Sequence, residues 1–257
     1  MTLSVIIITK NEAAMIARCL RSVAWADEII VVDSNSSDAT ADICRAAGAK
    51  VHSFNDWPGF GKQKNRALDL ATGDWVLSLD ADETVTPELR VEIESAVNNA
   101  GDKVAFKIPR LSSYCGRDIR HSGWRPDYVT RLFKRGSARF SDDLVHERLI
   151  VDGGTGSLTQ DLLHEAFTDL EEVLAKMNRY STASAQMLQQ NGHRSSLATA
   201  VLHGAWAFVR TYVLQAGFLD GREGFMLAVS NAEGTYYRYV KLMLLGEKNI
   251  RNADERR

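Results

Sequence analysis

Three apolar runs constrain this chain most: "LSVIIIT" at Leu3–Thr9, "EIIVVD" at Glu28–Asp33 and "WVLSLD" at Trp75–Asp80. None shows the in-and-out alternation of a strand with one wet face. Strands apolar at successive positions are buried on both sides, which calls for a parallel sheet sandwiched between helices. Helical patterns fill the gaps. Ile16, Leu20 and Val23 share one face of Glu12–Ala24, and Ser37 or Asp38 can cap a helix that runs through Ala47 and ends at Gly48. Val51–Phe54 reads as a short strand, "GKQKNRALDLATG" as a helix, and Thr86-Pro87 as a helix start, where a missing amide costs nothing. This α/β order predicts a three-layer, nucleotide-binding type of architecture.

After about residue 103 the pattern changes to short strands joined by turns, in "KVAFKIP", "DYVTRLFKRG", "LVHERLIV" and "TGSLTQDLL". From Asp169 the chain turns helical, with Val173, Met177, Tyr180, Ala183 and Met187 forming a stripe before Gly192. Two further helices are expected at about 196–216 and 221–245. The expected organisation is an α/β domain over 1–168, with halves at 1–100 and 101–168, followed by a helical extension over 169–257.

A net charge of −2 gives no general basis for nucleic-acid binding. Cys19, Cys44 and Cys115 are odd in number, widely spaced and without a CxxC pair, so a reducing compartment is expected rather than a disulfide frame. The opening "MTLSVIIITKNE" reads as a strand rather than an export signal. Without a GxGxxG after the first strand, a dinucleotide-dependent oxidoreductase is disfavoured.

Ligands of open parallel sheets gather at the carboxyl ends of the strands. Here those ends are polar in a particular way. The third apolar run finishes in Asp80-Ala81-Asp82-Glu83, and hard oxygen donors one residue apart suit Mg²⁺ or Mn²⁺ together with ligand phosphates. The first run exits into Thr9-Lys10-Asn11-Glu12. The second ends in Asp33, a carboxylate placed to accept from a base or ribose, and Ser34–Asp38 make the turn after it. Lys62, Lys64 and Arg66 precede the acidic end, and cations at a helix start favour phosphate. Residue chemistry alone therefore reaches a phosphate-bearing ligand plus a cation.

In their order and spacing, "SVIIITKNE", "EIIVVDSNSSDAT" and "KQKNRALDLATGDWVLSLDADE" resemble the N-terminal half of the family 2 glycosyltransferases. The resemblance implies a GT-A fold with a mostly parallel mixed sheet, a divalent cation cofactor (Mg²⁺ or Mn²⁺) and a UDP-sugar donor. It places Thr9 and Glu12 in the nucleotide pocket, Asp33 on uracil or ribose, Lys62 near the diphosphate or base, Asp80 on ribose or metal, and Asp82 on the metal. The segments "RLFKRGSARFSDDLVHERL", "LLHEAFTDLEEVLAKMNRYS" and "FVRTYVLQAGFLDGREGF" are similar to glucosyltransferases of the bacterial lipopolysaccharide inner core. That likeness implies transfer of glucose to a heptose of a lipid-linked acceptor.

Inverting transfer needs a base on the sugar face opposite the leaving group. Glu147 in "LVHERL" matches the acidic position of the family; Asp142, Asp143 and His146 are its competitors. His164 fits the pattern of a third cation ligand or, equally, a buried histidine bonded to backbone. Trp124 and Arg131 are expected on the acceptor side, as a ring for sugar stacking and a partner for phosphate. The rival readings are a family 2 enzyme with another sugar and glycan, a sugar nucleotidyltransferase, whose glycine- and arginine-rich loop "TKNEAA" lacks, and a non-catalytic nucleotide-sugar-binding module.

The run "SLATAVLHGAWAFVRTYVLQAGFLDG" is interrupted by Arg210, Gln215 and Gly217 and is not expected to span a bilayer. From Gly192 onward nine Lys and Arg face six Asp and Glu, interleaved with Trp206, Phe208, Tyr212 and Phe218. Such a mixture suits an anionic lipid surface. The expectation is a cytoplasmic protein held peripherally on the inner membrane.

Overall fold

The computed structural model describes residues 1–142 and 148–254. In chain order the first elements are β1 (Leu3–Thr9), α1 (Ile16–Ser22), β2 (Glu28–Asp33), α2 (Thr40–Ala46), β3 (Lys50–Ser53), α3 (Phe60–Leu70), β4 (Trp75–Asp80), β5 (Glu83–Val85) and α4 (Pro87–Asn98). There follow β6 (Lys103–Tyr114), β7 (Arg117–Asp118), β8 (Tyr128–Lys134), β9 (Ala138–Phe140), β10 (Leu149–Val151), β11 (Gly154–Ser157) and β12 (Leu162–Phe167). The last elements are α5 (Leu170–Gln190), α6 (Leu197–Val209) with a π-helical turn at Arg210–Leu214, and α7 (Gly221–Asp254).

The chain divides into two compact units, Met1–Leu111 with Pro126–His164, and Ser112–Arg125 with Glu165–Arg257. A single boundary after residue 168, as the sequence suggests, misses the excursion Ser112–Arg125. That segment joins the second unit because Tyr114 and Ile119 are core side chains packed with Val173 and Leu227.

In the first unit β1 lies between β2 and β4 in parallel register, with Thr9 opposite Asp33 and Ile8 opposite Asp80. β3 extends the parallel part beyond β2, and β8 then β6 continue the sheet antiparallel on the other side of β4. The missing alternation has a direct cause. Leu3, Val5 and Ile7 of β1 enter one core with Trp75, Leu77 and Leu79 of β4, under Leu20 of α1 and Leu89 of α4. Ile6 and Ile8 enter a second core on the opposite face, with Ala67 and Leu68 of α3 and with Phe140. Each such aliphatic side chain, fully buried, contributes about 1.5–3 kcal/mol.

Helix ends follow local chemistry. Thr86 caps α4 by accepting from Leu89 N at 3.1 Å, with Pro87 in the first turn as expected. Helix α1 starts later than its apolar spacing suggests, because Asn11 adopts φ 57° and the Glu12 carbonyl closes a turn onto Met15 N and Ile16 N.

In the second unit Asp169 caps α5 through Glu172 N at 2.9 Å, and Glu172 reaches back to Thr168 N. Helix α6 packs closely on α7: a Cβ added at Gly204 would lie 3.2 Å from the Ala232 carbonyl. Leu197–Leu214 is long and apolar enough to cross a membrane by length and composition even with Arg210 in it, and 17 % of it is buried.

Candidate functional site

The carboxyl ends of β1 and β4, together with the start of α3, enclose a cavity of about 560 Å³ within the first unit. Thr9, Glu12, Asp80, Asp82 and His164, all expected at the site, line it, and Lys64 joins them. Parallel register explains the convergence. Because β1 and β4 run side by side and end level, Thr9 and Asp80 emerge together at one end of the sheet. His164 reaches the same place from far along the chain: β12 pairs antiparallel with β5 and sets His164 opposite Glu83, leaving its Nε2 3.4 Å from Asp82 Oδ2.

Asp80 is held by two cations. Lys64 Nζ lies 3.0 Å from Oδ1, and the Arg131 guanidinium donates to Oδ2. Arg131 also donates to Glu83 Oε1 at 2.6 Å, and Glu83 Oε2 accepts from Asp80 N at 2.9 Å. Arg110 stands behind, 3.6 Å from Glu83 and 2.8 Å from Asp127. Burial alone raises the pKa of Asp80, but Arg131 and then Lys64 outweigh it and hold the carboxylate below its usual range. Glu83 goes the other way: burial pushes it up, Arg131 opposes, and the neighbouring Asp80 charge pushes it up further. Burial works to lower the pKa of Arg131, and the Asp80 and Glu83 charges raise it on balance, so it stays a cation.

Several expectations change in this light. Arg131 is 7 % exposed and committed to two carboxylates, so it positions Asp80 from beneath the cavity rather than meeting an acceptor. Both Asp80 oxygens are engaged by Lys64 and Arg131, whereas Asp82 Oδ1 has no hydrogen-bond partner among the described residues. Lys62 is exposed and does not line the cavity; Lys64, two residues on and buried, takes its place. Asp33 is buried at the tip of β2, but its carboxylate closes the following turn by accepting from Ser36 N at 2.9 Å, and it is not a lining residue. Trp124 belongs to the second unit. Glu147, with Asp143 and His146, lies outside the described residues.

The geometry also brings in residues that sequence reasoning missed. Trp57 and Phe60 meet edge to face at 4.9 Å between centroids, about half exposed, on the cavity wall. Their apolar exposure just ahead of "GKQK" was the available signal. For Lys64 the signal was its place on the inner face of α3 with Gly61, Asn65 and Leu68, at helical spacing.

Two buried polar atoms test whether a ligand and cation fit. Thr9 Oγ1 and Asp82 Oδ1 have no hydrogen-bond partner among the described residues. An orphaned carboxylate oxygen beside an imidazole is a suitable half-site for a hard divalent cation, which ordinarily completes its shell with phosphate oxygens and water. The described residues hold no cluster of three or more His, Cys, Asp or Glu able to bind a metal alone. The donor set therefore fits an ion shared with a diphosphate and does not fit a protein-only metal centre.

Comparison with known proteins identifies the family. Residues 4–148 match the model of the family described as "Glycosyl transferase family 2". An uncharacterized glycosyltransferase of Rickettsia felis is 33 % identical, over 96 % of this chain and 92 % of its own. The lipopolysaccharide core biosynthesis glycosyltransferase LpsC of Rhizobium meliloti is 28 % identical over 93 % of this chain and 91 % of its own. Among solved structures, S. aureus TarS 1–349 in complex with UDP superposes with a TM-score of 0.51 at 17 % identity, covering 93 % of this chain and 90 % of that one. The fold is of the GT-A type, with a curled mixed sheet and a helical C-terminal region, and the chain belongs to glycosyl transferase family 2.

Proposed function

We propose that this glycosyltransferase moves glucose from UDP-glucose to a heptose of a lipid-linked lipopolysaccharide core, with inversion. The observation that carries the donor side is the unpartnered Asp82 Oδ1 next to His164, in a cavity that also presents Lys64 and Lys10. The LpsC relative supports the acceptor class.

In this reading Asp82 and His164 would hold Mg²⁺ or Mn²⁺. When bound, that ion supplies positive charge to the leaving diphosphate. Lys64 and Lys10 add cationic charge on the same wall, so negative charge that develops as the anomeric C–O bond breaks meets groups already in position. Thr9 Oγ1 is a free partner for a nucleotide hydroxyl or carbonyl, and Trp57 with Phe60 offers ring faces to the uracil. The acceptor hydroxyl oxygen forms the new bond from the opposite face and its proton passes to a carboxylate, for which Glu147 remains the candidate.

The acceptor is held at a membrane. On α6 and its π turn, Leu197, Val201, Leu202, Val209 and Val213 are each 40–70 % exposed, a set of apolar side chains in a part of the chain where, from Gly192 onward, nine Lys and Arg face six Asp and Glu. That combination supports peripheral binding to the anionic cytoplasmic face of the inner membrane.

The test is turnover of a panel of nucleotide sugars with Mg²⁺ or Mn²⁺ and truncated lipopolysaccharides. UDP-glucose consumption that needs a heptose-terminated acceptor is expected. Consumption of another sugar refutes the donor assignment, and UDP-sugar binding without turnover of any donor favours a binding module.

A further inference from the structure

The second unit contains a cavity of about 520 Å³ that the donor chemistry does not use. Arg210, Arg238, His203, Trp124 and Trp206 stand in its wall, and among the described residues no Asp or Glu lines it. In a chain with 33 acidic and 31 basic residues, a cleft with two guanidinium groups and no carboxylate selects for an anion. The indoles add flat apolar faces of the kind on which saccharide rings stack. A neighbouring cavity of about 320 Å³ shares Trp124, Asn231, Thr235 and Arg238 as wall residues.

The groove is built rather than incidental. Asp220, 2 % exposed, accepts from Arg120 N at 3.0 Å, His121 N at 3.0 Å and Ser122 Oγ at 2.8 Å. This buried carboxylate pins the loop that presents Trp124. Within that loop Gly123 has φ +80°, a conformation that favours glycine, and the Gln215 side chain occupies the space a Cβ would take. Ser122 N in turn donates to the Gln215 carbonyl at 2.9 Å. Arg210 and Thr211 sit on the π turn, a local widening of the helix that recurs at functional sites. Arg238 Nε is buried with no hydrogen-bond partner among the described residues, leaving a donor to be satisfied.

We propose that this groove binds a phosphorylated saccharide, with Arg210 and Arg238 on the phosphate and Trp124 and Trp206 on sugar faces. Resting on the transferase reading above, the occupant is a phosphate-bearing sugar of the glycan acceptor, so the helical unit selects the acceptor while the first unit holds the donor.

The experiment titrates the full chain, by tryptophan fluorescence, with three probes: oligosaccharide released from truncated lipopolysaccharide, the same oligosaccharide after dephosphorylation, and inorganic phosphate. The phosphorylated oligosaccharide is expected to bind at least tenfold more tightly than either of the others. Equal affinity for the dephosphorylated form, or for inorganic phosphate, overturns the proposal on the unmodified protein alone. Arg210→Ala and Arg238→Ala should each weaken the phosphorylated probe at least tenfold, with Arg210→Lys intermediate because it keeps the charge and loses the two-pronged geometry. In turnover assays the same variants should raise the acceptor KM and leave UDP affinity in place. An acceptor KM unmoved by both overturns this inference while the transferase reading stands; absent turnover with phosphate-dependent saccharide binding supports the groove and counts against the transferase reading.

Discussion

Lys64 Nζ lies 3.0 Å from Asp80 Oδ1 in the cavity wall, and both side chains line the space the donor is proposed to enter. The pair fixes where positive charge sits before any ligand arrives. Lys64→Met removes a cation from the diphosphate site and frees Asp80 to repel the ligand. UDP affinity should fall by about tenfold or more, a cost of ~1.4 kcal/mol or above, measured by calorimetry; an unchanged affinity refutes the placement.

Arg131 has a different role, because it neutralises two acids beneath the site. Arg131→Met strands the fully buried Glu83 beside Asp80, and removing one partner of a buried ion pair costs about 3–5 kcal/mol. Urea denaturation should show a loss of that size. Adding Glu83→Gln should restore part of it, since Asp80 keeps Lys64 as a partner and the buried acid that lost its close guanidinium is then neutral.

Asp82 and His164 should act as a pair toward metal. Asp82→Ala is expected to abolish Mn²⁺-dependent tightening of UDP, and His164→Ala to weaken it by about tenfold, or ~1.4 kcal/mol. Equal Mn²⁺ response in the His164 variant would assign that histidine to packing instead.

Stability should depend on acid through Glu28. Burial works to raise its pKa, but Lys50 Nζ at 2.8 Å, Ser4 Oγ and Thr72 N at 2.9 Å outweigh this and bring it from 4.5 to about 2. A depressed folded-state pKa means the stabilisation is present above pH 4.5 and is lost as pH falls from there toward 2. Glu28→Gln should cost about 2 kcal/mol at pH 7 and flatten that part of the stability profile, as read from melts at successive pH values.

The exposed apolar side chains of α6 and its π turn give a lipid test. Leu202→Glu and Val213→Glu replace side chains 70 % and 53 % exposed, so the fold should tolerate them. Flotation with phosphatidylglycerol vesicles should drop for both relative to the unmodified chain, and equal flotation would reject membrane attachment through this face.

Much of the parallel sheet was legible because its physics is local. Leu3–Thr9 and Glu28–Asp33 stand in the structure where their unbroken apolar runs place them, and Thr86-Pro87 caps a helix on chemistry contained in three residues. The site was legible where it sits at a strand end, as with Thr9, Asp80 and Asp82. Arg131 was not, because its partners lie 51 and 48 residues away and only the pairing of β8 with β4 brings them close. Lys62 and Lys64 look alike in a string and differ only in the helix face they occupy, which depends on how α3 packs on the sheet. The route of Ser112–Arg125 into the second unit was hidden for the same reason: aromatic packing among Tyr114, Trp124 and Phe167 decides it.

A crystal of the protein soaked with UDP and Mn²⁺ tests the donor site most directly. The diphosphate should lie in the cavity between Lys64 and Asp82, with the anomalous manganese peak against Asp82 Oδ1. Nucleotide and manganese bound elsewhere, with that cavity holding only solvent, would contradict the account.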